Sequence, residues 1–170
     1  SGVPAYALSA QDFYQDVFTR GSFVGKGIID PVLFSGALKG RVREERVLSH
    51  DLLEGEIAGA ALSGDIFFLD GHPKRLSGWY KRLNRWTRGD WQLFPYLFDR
   101  RLSPLSRFKM LDNLRRSLVP AASLLMLIFA AGRGPWPLFL LALPYPLKGM
   151  ALRLWFLPAK AYTCLDGALR

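Results

Sequence analysis

The chain has one cysteine, Cys164, in 170 residues. A single thiol cannot close an internal disulfide, and no Cys/His spacing builds a zinc site. Cys164 reads as an ordinary thiol in an apolar segment, and a reducing, cytosolic face fits it. There is no P-loop and no dinucleotide-binding glycine fingerprint, which argues against P-loop NTPases and dinucleotide-dependent dehydrogenases. No internal repeat or low-complexity tract is present, which excludes solenoids and tethers. Among the ten aspartates no two are spaced D-x-D. Ser1 to Phe13 lacks the basic start and apolar run of a secretory leader. Acidic residues are few, 14 against 23 Lys and Arg, which leaves a net charge of +9.

Hydrophobic residues are abundant instead, at 50% of the chain with a mean hydropathy of +0.10. A basic balance suits either nucleic acid or an anionic membrane surface. The distribution decides between them. Hydrophobicity concentrates after Leu118, directly behind a basic cluster, which favours a lipid bilayer and argues for no nucleic-acid partner. The length suits one domain. Ser1 stands where an initiator Met would, and Arg170 falls within an apolar, basic stretch, so the sequence reads as a segment of something longer.

Residues 1–102 read as alternating strands and helices, which predicts an α/β fold. A helix is expected over Ala10 to Phe18. Gly21 to Gly27, GSFVGKG, is a glycine-rich turn. Asp30 is a helix N-cap with Pro31 in the first turn, and the helix runs to Leu38. Arg46 to Leu48 reads as a short strand, Asp51 to Leu62 as a helix stopped by Gly64, and Asp65 to Leu69 as a second strand. Pro73 opens a long aromatic helix towards Phe98.

Residues 103–117 predict an amphipathic interfacial helix. Phe108, Leu111, Leu114 and Leu118 share a face, while Arg107, Lys109, Arg115 and Arg116 make it cationic. Residues 118–170 are expected to be a transmembrane region. Leu118 to Ala131 is uncharged, Gly132-Arg133-Gly134-Pro135 reads as a turn, and Pro135 to Leu147 is apolar again. A span needs about 20 apolar residues, and Arg133 can snorkel to the interface. The positive-inside rule then places Arg115, Arg116 and residues 1–102 on the cytoplasmic side.

Two clusters carry chemistry. In LSHDLLEG, Asp51 stands where an expected strand gives way to a helix, the edge at which α/β sheets bind ligands. A carboxylate there serves as a general base, or else simply caps the helix. In RLNRWTRGDWQ, Arg82, Arg85 and Trp86 share a helical face. Paired guanidiniums bind a diphosphate, and an indole is a platform for the apolar face of a sugar. A basic helix surface with buried tryptophans is the alternative.

RLNRW fits the [Q/R]xxRW motif of processive family-2-type glycosyltransferases, the group that includes cellulose synthase. LSHD matches the position of that group's upstream TED-like motif. VFTRGSFVGKGIID, RVLSHDLLEG, RWTRGDWQL and RFKMLDNLRRSLV, in that order, resemble the glycosyltransferase domain of the cyclic β-1,2-glucan synthases. The resemblance covers nearly the whole chain, more loosely after Leu118. It implies a GT-A-type domain, of which this chain is the acceptor-side half followed by the membrane segment.

The resemblance also implies roles. Asp51 is the base that deprotonates the acceptor hydroxyl. Arg82, Arg85 and Trp86 hold the nucleotide diphosphate and the acceptor end. Gly21, Ser22 and Phe23 lie near the acceptor, His50 and Glu54 flank and orient the base, and Trp91 lines the glucan path. The donor is UDP-glucose, the acceptor a β-glucan, and the product is formed with inversion. The family holds a divalent cation, Mg2+ or Mn2+, through a D-x-D motif in an N-terminal half. That motif is absent here, so the cation is expected on residues outside this chain, and the chain alone is expected to be inactive. The expected location is the bacterial inner (cytoplasmic) membrane with the catalytic part cytoplasmic. The osmoregulated periplasmic glucan and cellulose-type glucosyltransferases are alternatives within the class, and RGDWQL and MLDNLRRSL favour the cyclic-glucan enzymes. A non-catalytic membrane remnant or scaffold is the alternative outside it.

Overall fold

Two aspartates set where the first helices begin. Asp12 caps α1 (Phe13–Phe18), its carboxylate accepting from the Tyr14 N–H at 2.9 Å. Asp30 caps α2 (Pro31–Leu38), accepting from the Val32 and Leu33 N–H groups at 2.9 and 3.1 Å, with Pro31 in the first turn. Both satisfy donors that a helix leaves unpaired at its start. A computed structural model describes residues 12–42, 47, 50–64, 66, 71, 73–130 and 154–170. The chain divides into two compact units, Ser1–His72 with Pro95–Phe108, and Pro73–Phe94 with Lys109–Arg170.

In the first unit, α3 (Asp51–Ala58) packs against α2. It ends at Gly59, earlier than the expected Leu62. Tertiary hydrogen bonds claim the following residues. The Gly21 N–H donates to the Ala60 carbonyl at 2.9 Å. Gln15 and the Leu62 backbone bond reciprocally, at 2.6 and 3.2 Å. Those bonds outweigh the helix propensity of Ala60, Ala61 and Leu62. Val47, Leu53, Tyr96 and Leu102 are the buried apolar side chains of this unit. Glu56 is buried with them, its carboxylate accepting from the Ser106 hydroxyl at 2.6 Å.

The second unit is built on α4 (Leu76–Gln92) packed against α6 (Leu157–Leu169). Gly167 makes the close approach possible, because a Cβ there would lie 2.7 Å from the Asn84 carbonyl oxygen. Asn84 donates to the Thr163 carbonyl at 3.2 Å and to the Asp166 carboxylate at 2.8 Å. A third helix, α5 (Pro104–Ala130), is tied to α4 by two bonds. The Trp91 indole N–H donates to Ser117 Oγ at 3.0 Å, and Asn113 donates to Asp90 at 3.0 Å. Leu93, Met110, Leu114, Leu157, Ala161 and Cys164 fill the core of this unit.

The expected α/β class is corrected. Every regular element among the described residues is helical, and none is a strand. The strand expected over Arg46 to Leu48 lies outside the described residues except Val47, which is in a loop. The strand expected over Asp65 to Leu69 likewise lies outside them except Ile66, also irregular. Apolar runs this short carry no periodicity that distinguishes a strand from a buried loop. A strand also needs a neighbour for its N–H and C=O groups. The described residues therefore do not form the acceptor-side half of a GT-A sheet.

The membrane segments are corrected too. The basic stretch expected as an interfacial helix over 103–117 and the start of the apolar region expected from 118 form one helix, α5, with Pro120 inside it. No helix among the described residues is long and apolar enough to cross a membrane. Among the described residues the uncharged part of α5 is too short, since the 14 residues from Ser117 to Ala130 at about 1.5 Å each give about 21 Å against a hydrocarbon core of about 30 Å. The face assigned to lipid is also divided, with Leu114 buried while Leu111 and Leu118 are exposed. The turn at Gly132 to Pro135 and the second apolar run to Leu147 lie outside the described residues.

Candidate functional site

Asp51 occupies the first turn of α3 and is exposed. An ionised carboxylate is favoured at a helix N-terminus by the local N–H groups and the helix dipole. The N-cap position itself is held by His50. Glu54 reaches back so that its carboxylate accepts from the His50 N–H at 3.0 Å, one arm of a capping box. Glu54 thus fastens the backbone on which Asp51 is mounted.

The glycine-rich loop lies against the same helix. Gly25 has φ +83°, and a Cβ on it would lie 2.5 Å from Asp51 Oδ2 and 2.8 Å from Oδ1. A glycine backbone therefore fits directly against the Asp51 carboxylate where a side chain would displace it. Phe23 sits on α3 at Gly55, where an added Cβ would clash with the Phe23 Cβ. The loop is anchored at its start, as the second oxygen of Asp12 accepts from the Ser22 N–H at 2.6 Å. Gly21 is buried against Ala60 and has no room for a side chain. Gly21, Ser22, Phe23, His50, Asp51 and Glu54 are thus brought together in one unit.

The second candidate group is on α4. The Arg82 guanidinium lies over the Trp86 ring, 5.7 Å from its centroid, a cation–π arrangement. Arg85 is exposed on the same helix, and Trp86 is 37% exposed. Asn84 and Thr87 of the same motif point elsewhere, being engaged with α6. Trp91 is half-buried, bonded to Ser117 and stacked near Phe94 with centroids 6.5 Å apart.

Two contributors escaped the sequence reading. Gly25 was visible within GSFVGKG, but its approach to Asp51 is a tertiary fact. Trp79, seven residues before Trp86, has its ring centroid 5.9 Å from that of Trp86 at 89°, and the helical spacing was the available signal.

Elsewhere the charges are structural. Arg101 bonds Asp99 and holds its carboxyl well down, at about 2. The adjoining cavity, about 330 Å³, is lined by Pro95, Tyr96, Phe98, Asp99, Arg100 and Arg101. Arg170 and Asn84 hold Asp166 below its ordinary value. Burial pushes the Cys164 thiol up, away from the reactive thiolate, as expected of an ordinary thiol. Among the described residues no group of three His, Cys, Asp or Glu side chains could hold a metal ion. These residues do not fit a cation site.

No family model matches the chain. One curated relative is a cyclic beta-(1,2)-glucan synthase of Rhizobium meliloti, 50% identical over 123 residues, which is 71% of this chain. The chain spans 4% of that relative's length. That degree of shared sequence supports kinship of this stretch with the cyclic β-(1,2)-glucan synthases.

Proposed function

We propose that this chain is part of a glycosyltransferase that moves glucose from UDP-glucose to a growing β-glucan, the product being cyclic β-1,2-glucan. The sequence identity to a cyclic glucan synthase is the observation that carries this reading. The placement of Asp51 lends it chemical sense. The carboxylate is exposed and held at a helix N-terminus, so an acceptor hydroxyl has a route to it.

The proposed reaction is one displacement. The acceptor oxygen forms a bond to the anomeric carbon of UDP-glucose, and the bond from that carbon to the diphosphate breaks. The hydroxyl proton passes to Asp51, and UDP leaves with the electron pair. Attack opposite the leaving group inverts an α-linked donor to a β-linked product. Arg82 and Arg85 offset charge on the diphosphate, and Trp86 offers its ring to a sugar. Gly21, Ser22 and Phe23 border the acceptor, and His50 and Glu54 fix the backbone that carries the base. Trp91 borders the glucan path. Donor, acceptor and the lipid bilayer are the proposed partners. The proposed location is the bacterial inner membrane, with these residues on the cytoplasmic side where the nucleotide sugar is supplied.

Asp51→Asn in the full-length enzyme tests this. Loss of a general base costs about 10²- to 10⁴-fold, so incorporation of labelled glucose should fall by that factor while UDP binding persists. Near-normal turnover by the variant would make Asp51 a mere helix residue and end the assignment.

A further inference from the structure

The RLNRW segment lies on a helix whose two sides do different work. Asn84 and Thr87 face α6, where Asn84 bonds Thr163 and Asp166, and Thr87 is buried beside Cys164. Trp79, Arg82 and Trp86 fall at i, i+3 and i+7, within about 60° of one another around the helix axis. The Trp86 indole is contacted twice on this side. Arg82 stands over its ring at 5.7 Å, and Trp79 meets it edge to face with centroids 5.9 Å apart and planes at 89°. Helix packing does not require this array, since the α4–α6 contact runs through the other residues.

An isolated indole at a partly exposed helix position is free to change rotamer, and a long Arg side chain is freer still. A second aromatic ring at edge-to-face distance removes much of that freedom from Trp86. Trp86 in turn supplies the surface on which the guanidinium rests. Orientation therefore passes from Trp79 to Trp86 to Arg82.

We infer that Trp79 is a positioning residue for the diphosphate-holding group. It fixes the Trp86 ring, and through that ring it holds Arg82 aimed at the diphosphate of the nucleotide sugar. This rests on the proposed role of Arg82 and adds to it a residue outside the RLNRW motif. Trp79 touches no substrate. Its effect is to lower the ordering cost that Arg82 meets on binding.

The test uses the full-length enzyme and UDP as the probe, with UDP affinity, KM for UDP-glucose and kcat measured for Trp79→Ala, Trp79→Phe, Arg82→Ala and the Trp79→Ala/Arg82→Ala pair. An aromatic pair contributes an amount corresponding to about 3- to 10-fold in affinity. Trp79→Ala should weaken UDP binding and raise KM by that factor with kcat little changed, and Trp79→Phe should restore most of the loss. In the Arg82→Ala background the further effect of Trp79→Ala should vanish, because the group it aims is gone. A merely structural tryptophan would lower kcat and KM performance alike and would weaken binding equally in both backgrounds. That additive outcome, or unchanged UDP affinity in Trp79→Ala, overturns the inference. Unchanged affinity in Arg82→Ala instead overturns the proposed role of Arg82 itself.

Discussion

Replacing Gly55 by alanine puts helix propensity and tertiary packing in direct opposition. Gly55 is inside α3, and a glycine within a helix costs about 0.5–1 kcal/mol relative to alanine. Propensity alone therefore predicts that Gly55→Ala stabilises the protein. Packing predicts the reverse. The new methyl would clash with the Phe23 Cβ, and the Phe23 Cα and N lie 3.4 Å away. The obstructing atom adjoins the backbone, so no rotamer change relieves it, and the Gly21–Phe23 loop must shift. That loop is held by the Asp12–Ser22 bond at 2.6 Å and the Gly21–Ala60 bond at 2.9 Å. Overpacking of this kind costs about 1–3 kcal/mol. The net expectation is a loss of about 1 kcal/mol, or about 2–4 °C in Tm for a chain of this size. Thermal unfolding of the variant reads the sign. In a Phe23→Gly background the obstruction is gone, and Gly55→Ala should become stabilising. A raised Tm for Gly55→Ala in the wild-type background would refute the contact between Phe23 and α3.

Two further outcomes follow from the packing and the charges. Gly167→Val should destabilise by about 1–3 kcal/mol in urea unfolding, because a Cβ there meets the Asn84 carbonyl oxygen at 2.7 Å and the Thr87 Cβ at 3.1 Å; an unchanged midpoint would mean that α4 and α6 are not in close contact. Arg101 depresses the Asp99 carboxyl from 3.8 to about 2, so the pair contributes above the ordinary carboxylate value and its contribution is lost as pH falls from about 4 through about 2. An NMR titration of Asp99 should show that low midpoint and its return towards 3.8 in Arg101→Ala. A wild-type midpoint near 4 would contradict the pairing.

The candidate site was legible where its residues are local in sequence. Arg82, Arg85 and Trp86 share a helix because their spacing says so, and the structure has them on α4. LSHDLLEG marked Asp51 at a helix start, and α3 begins there. The partner across from Asp51 was not legible. Gly25 lies 26 positions away in sequence, and what brings it to the carboxylate is a loop pinned by Asp12 and Ala60. Trp79 was within reach of the same helical spacing that picked out Trp86, but the motif begins at Arg82 and leaves it out.

The sequence by itself determined the features that depend on a few adjacent residues. Asp30 with Pro31 starts α2 as expected, since a side-chain acceptor and a fixed φ act within one turn. Cys164 is an inert buried thiol, as its apolar surroundings suggested. Tertiary structure decided what depends on partners. It ended α3 at Gly59 by pairing residues 60 and 62 elsewhere, and it left the described residues without the strands that short apolar runs had suggested. It joined the basic and apolar stretches into the single helix α5 and buried Leu114 while exposing Leu111 and Leu118. A residue's own propensity is worth tenths of a kcal/mol, whereas a buried contact or a tertiary hydrogen bond is worth about one or more, so where the two conflict the packing prevails.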